Sequence, residues 1–69
     1  MKIVYDADSD ILDLIFSQDE VEESDEIKEG VIIDYGKDGK VVSIEILDAS
    51  VRITDPNKIQ YEIMSNKVA

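Results

Sequence analysis

The sequence predicts a mainly β to α+β fold: a small antiparallel meander of four to five strands with a short helical turn after the fourth. Three observations predict it. Asp38-Gly39 lies between two apolar runs whose side chains match face for face when that pair is placed at a turn. Lys2 to Phe16 holds two more alternating runs around a polar centre. The stretch between these pairs, Ser17 to Glu29, is too acidic and too poor in apolar residues to bury a helix face.

In the first run, Ile3 and Tyr5 point one way and Lys2, Val4 and Asp6 the other, which is the period of a strand. Asp6-Ala7-Asp8-Ser9-Asp10 is rich in turn formers. Leu12, Leu14 and Phe16 then alternate with Ile11, Asp13 and Ile15 in a second strand, closing a first hairpin. Within Ser17 to Glu29, Val21 to Glu26 reads as an extended edge segment or a loop. Ile27 enters the third strand, which runs from about Ile27 to Tyr35.

The fourth strand runs from about Lys40 to Leu47. With Asp38 and Gly39 at the tip, Tyr35 faces Val42, Ile33 faces Ile44 and Val31 faces Ile46, all on one side. Asp34 with Ser43 and Ile32 with Glu45 fall on the other. A four-residue loop from Gly36 to Gly39 keeps these faces, whereas a three-residue loop sets apolar against polar, so an even loop is expected. Asp48 to Arg52 reads as one helical turn. Beyond the breaker Asp55-Pro56-Asn57, Lys58 to Met64 admits two readings: a fifth strand with Ile59, Tyr61 and Ile63 on one face, or a short helix capped by Asp55. Three successive alternations favour the strand, and residues 65–69 are expected to fray.

All 69 residues are expected to form a single small domain, and a domain this small buries only about 60% of its unfolded surface. A one-layer sheet has no second layer to bury against, so a covering segment or a second subunit is expected, and a homodimer is the structural expectation. With neither cysteine nor histidine, the composition excludes disulfides, thiolate metal sites and histidine-based acid–base chemistry. An enzyme is therefore not expected, and no cofactor is.

No apolar run approaches the roughly 20 residues that span a bilayer, and the start MKIVYDADSD lacks the apolar core of a signal peptide, so a cytoplasmic location is expected. The formal charge is −10, unevenly spread. Residues 1–29 carry eleven acids and two lysines, net −9; residues 30–69 carry six acids and five bases, net −1. Such a field repels nucleic acid and anionic membrane and attracts cations or a basic protein partner.

Four groups of residues are candidates for chemistry. Asp6, Asp8 and Asp10 have the D-x-D-x-D spacing that opens a calcium loop, and alternate carboxylates suit a hard cation such as calcium or magnesium. The continuation fails, since Ile11 and Ser17 stand where that loop needs glycine and glutamate. A solvated hairpin turn is the plainer reading, with a weak divalent site as the alternative. Asp19, Glu20, Glu22, Glu23, Asp25 and Glu26 form a candidate docking surface for a basic partner; the same charges also guard an edge against aggregation. Asp34 and Glu45 share the polar face of the central hairpin and read as solvated acids. Ser50, with Arg52 nearby and no base to activate it, reads as a turn or cap residue.

Tyr5-Asp6, Asp10 with the alternating Leu12, Leu14 and Phe16, Gly30 to Tyr35, Asp38-Gly39, and Ile44 to Ser50 together resemble a family of small bacterial and archaeal proteins, domain of unknown function 2283, the YuzE-like group. The likeness covers roughly residues 1–52. It departs at Val51, where a basic residue usually follows the Ala-Ser, and at Ser43, where glycine is frequent. Some members are encoded beside small toxin-like proteins, so the resemblance implies an antitoxin-like or partner-binding role and no catalytic residues.

Overall fold

The computed structural model describes residues 1–65. Its strands are β1 (Lys2–Asp6), β2 (Ile11–Ile15), β3 (Glu23–Lys28), β4 (Val31–Tyr35) and β5 (Val41–Leu47), followed by the single helical turn α1 (Ala49–Arg52). They form one antiparallel sheet in the order β1-β2-β5-β4-β3. The expected small antiparallel sheet with a terminal helical turn is the one observed. Its topology is a hairpin, β1-β2, laid against the outer strand of a three-stranded meander, β3-β4-β5. Residues 16–22 make the long connection around the end of the sheet, held there where Phe16 N–H donates to the Val42 carbonyl (2.8 Å) and Glu22 N–H to that of Tyr35 (2.8 Å).

The expected third strand, Ile27 to Tyr35, is two strands. A hairpin at Glu29-Gly30 divides it, with Lys28 opposite Val31 and an irregularity between Glu26 and Lys28. Gly30 takes φ 81, which favours glycine, and donates its N–H to the Glu26 carboxylate at 3.0 Å. Within the central hairpin, Val31 with Ile46, Ile33 with Ile44, Ile32 with Glu45 and Asp34 with Ser43 pair as the register required. Tyr35, however, opposes Val41 rather than Val42. Gly36 N–H donates to the Lys40 carbonyl (2.9 Å) and Gly39, at φ 83, donates to that of Gly36 (3.0 Å), so the loop is the three residues Lys37 to Gly39. The expected even loop is thus corrected. A bulge at Val42 supplies the extra residue that returns the strand to its face.

Strand pairing aligns two apolar rows on one face: Ile3, Leu14, Ile44 and Ile33, and Tyr5, Leu12, Ile46 and Val31. Burial is shallow. Among the described residues, Leu12, Val42 and Ala49 form the buried hydrophobic core, and no large side chain is wholly enclosed. α1 packs at one end of the sheet, where Ala49 N–H donates to the Asp10 carbonyl at 3.0 Å. Residues 58–64 form neither the expected fifth strand nor the alternative helix. Pro56 is buried and the Asp55 carbonyl accepts from Lys58 N–H (3.1 Å), after which every residue through Ser65 is exposed. The alternation there has no neighbouring strand to lie against. The expected fraying of 65–69 falls, from residue 66 on, outside the described residues.

Candidate functional site

Two rows of side chains cross the second face of the sheet. One runs Val4, Asp13, Glu45, Ile32, Glu26; the other runs Lys2, Ile15, Ser43, Asp34, Ser24. Asp13 stands directly opposite Glu45, and Asp34 lies beside them on the neighbouring strand. The register therefore collects three carboxyl groups at the centre of a face rimmed by Val4, Ile15 and Ile32. Asp34 is buried at 5% exposure and accepts from the Ser43 hydroxyl at 2.6 Å and the Ser24 hydroxyl at 2.5 Å.

Glu45 on the neighbouring strand reaches the Asp34 carboxylate, and two carboxyl groups so placed can bond only while one keeps its proton. Glu45 keeps it. That bond, then burial, then the charges of Asp34 and Asp13 push its carboxyl up to about 7. Burial pulls Asp34 upward as well, but the bonds from Glu45, Ser24 and Ser43 outweigh it and hold the group below its usual value. Asp13 is raised, mainly by burial and then by the Asp34 charge. One cleft, of about 550 Å³, is lined by Asp19, Glu20, Glu22, Lys37 and Asp38, and another, of about 170 Å³, by Met1, Lys2 and Ile15 to Gln18.

The sequence pointed to Asp34 and Glu45 as neighbours and missed Asp13. No local turn fixes how β2 lies on β5, so the only available signal was the parity of an aspartate between Leu12 and Leu14.

The three aspartates of the first turn do not converge. Asp6 caps its own turn, its carboxylate accepting from the N–H of Asp8 (3.0 Å) and of Ser9 (3.4 Å). Asp10, at φ 58, faces away and accepts from the Tyr5 hydroxyl (2.6 Å), Ser50 N–H (2.9 Å) and the Ser50 hydroxyl (2.6 Å). Those bonds from Ser50 and then Tyr5 lower the Asp10 carboxyl, and the Asp10 contact raises the Tyr5 phenol. Among the described residues no group of three or more acids is placed to hold a metal ion. Ser50 is accordingly a clamp between α1 and the first hairpin, and Arg52 Nε donates to the Leu47 carbonyl at 2.9 Å.

The six acids of the candidate docking surface are all exposed and divide into two groups. Asp19, Glu20 and Glu22 line the larger cleft, while Glu23, Asp25 and Glu26 lie along β3, the sheet's outer strand. Glu23 and Asp25 share the apolar side of the sheet, and Glu26 lies on the carboxylate side.

Among the described residues no helix is long and apolar enough to cross a membrane. Neither a curated protein nor a solved structure matches the chain. A family model does, from residue 2 at the start of β1 to residue 50 within α1, and the chain accordingly belongs to the family described as protein of unknown function (DUF2283).

Proposed function

We propose that the chain is a protein-binding module that holds, and thereby neutralises or regulates, a basic partner along its acidic edge. One observation carries this: β3 is an outer strand exposed along its whole length, and it runs on from an acid-lined cleft large enough for side chains. An open edge offers backbone groups to an extended partner segment, and flanking charge selects which segment. Glu23, Asp25 and Glu26 repel another acidic strand and favour a basic one, so the edge that resists self-pairing is the one that receives the partner. The cleft beside it, with Asp19, Glu20 and Glu22, takes lysine or arginine side chains.

The probe is a fluorescently labelled, extended peptide rich in lysine and arginine, titrated with the full chain and followed by anisotropy at about 0.15 M salt. Saturable binding is expected, weakened at least tenfold by the triple reversal Glu20→Lys, Glu22→Lys, Asp25→Lys. Binding that ignores the reversal, or fails to saturate, would overturn the proposal.

A further inference from the structure

Residues 58–64 have the pattern of a strand and no strand beside them. Ile59, Tyr61, Ile63 and Met64 are 56, 72, 72 and 79% exposed, a concentration of apolar surface that a folded chain ordinarily covers. The segment also stands off the body. The molecule's long axis is 43 Å, whereas five strands at about 4.8 Å spacing and seven residues at about 3.3 Å rise each account for only about 25 Å. Its radius of gyration is 13.9 Å, against about 11 Å for a compact chain of this length.

The sheet has two outer edges of unlike character. β3 carries acids along its length, but β1 reads Lys2, Ile3, Val4, Tyr5, Asp6, with charge only at its ends. Those end charges are four residues apart, lysine first. In the arm, Lys58 and Glu62 are also four apart, lysine first. Laid antiparallel, Lys58 falls opposite Asp6 and Glu62 opposite Lys2, two opposite-charge pairs in a single register. The same register sets Ile59 against Tyr5 and Tyr61 against Ile3, extending the apolar rows of the sheet, and leaves Gln60 against Val4 on the other face. Charge and face thus agree, and a one-residue slip would spoil both.

We infer that the Lys58–Ile63 arm of one copy adds as a sixth strand to the β1 edge of a second copy, and that the two copies exchange arms about a twofold axis. The turn at Asp55 to Lys58, with Pro56 buried, sends the arm off its own sheet while leaving it available to another. At about 60 to 120 Å² of apolar surface per side chain, the three apolar side chains of each arm, Ile59, Tyr61 and Ile63, and a matching area on each acceptor bury roughly 700 to 1,400 Å², which reaches the lower end of the range for a stable interface. Stable specific interfaces bury about 1,200 to 2,000 Å². The exchange uses the edge opposite β3, so it is independent of the acidic ledge and leaves that ledge open.

The chain contains no cysteine, which makes the register directly testable. Val4→Cys and Gln60→Cys are made in separate chains and mixed under mild oxidation, since facing residues in an antiparallel pair are at about disulfide distance. A mixed disulfide dimer is expected, and none is expected when Val51→Cys on α1 replaces either. Failure of the mixed dimer, or a disulfide that forms only within a chain carrying both cysteines, overturns the exchange. Sedimentation equilibrium supplies the second reading. Glu62→Lys and Lys2→Glu should each weaken the dimer about fivefold to tenfold, and the two together should restore it; equal weakening in the double variant overturns the register.

Discussion

Glu45 retains its proton to about pH 7 because Asp34 accepts a hydrogen bond from it. Below about pH 4.5 the folded and unfolded chains both hold that proton, and the group adds no pH dependence. Between there and about pH 7 the folded chain holds it and the unfolded chain has lost it, so stability falls as the pH rises. Asp34 and Asp10 act oppositely: both are lowered, and what they contribute is lost as the pH drops through their folded values. The melting temperature should therefore peak in mildly acidic buffer and fall on going to pH 8. Allowing for the open face, the Glu45 part is about 1 to 2 kcal/mol, or roughly 5 to 10 °C in a domain this small. Glu45→Gln, which keeps a donor toward Asp34, should flatten the slope between pH 5 and 7 in thermal melts; an unchanged slope would assign the effect to the remaining acids. Asp34 and Glu45 were legible as neighbours because a turn four residues from Asp34 fixed their register. Asp13 was not, since its partner strand lies roughly thirty positions away.

Hairpins differ in how openly the chain announces them. Asp38-Gly39 announces its turn and three apolar pairs with it; two of them form, while Tyr35 shifts because the bulge at Val42 relaxes the parity that an even loop would otherwise satisfy. The β3-β4 hairpin is hidden in the sequence, since a single glycine within Lys28-Glu29-Gly30-Val31 is a weak stop signal and the apolar pattern runs on from Ile27 to Val31. Gly30 is nonetheless the less replaceable glycine. A Cβ there would lie 2.5 Å from Arg52 Nη2 and 2.6 Å from its Cζ, at φ +81. Gly30→Ala strains the turn and pushes aside the exposed guanidinium that donates to the Leu47 carbonyl, at about 1 to 2 kcal/mol. Gly39→Ala, at φ +83 but facing open space, should cost only about 1 kcal/mol. Chemical denaturation of the two variants measures the difference, and equal losses would show that the Arg52 contact contributes nothing.

At the scale of the molecule, seventeen acids on 69 residues leave a formal charge of −10, and an exposed Lys40–Asp38 pair at 3.9 Å relieves little of it. Screening should stabilise the fold, raising the melting temperature by a few degrees between about 0.01 and 0.3 M salt. A melting temperature indifferent to salt would mean that the acids are already neutralised by bound cations. The single-layer sheet was legible because alternation and turn chemistry are local. The order of its strands was not, because the chain carries no local mark of the step from β2 to β5. That step has a kinetic consequence. β3, β4 and β5 are joined by short turns and can zip in sequence, whereas Leu12 must find Ile46 and Leu14 must find Ile44 across the whole connection. Loop-closure entropy is paid there before any contact repays it. The meander is thus the part of the chain that can form early, and capture of the first hairpin by β5 is the step expected to set the folding rate.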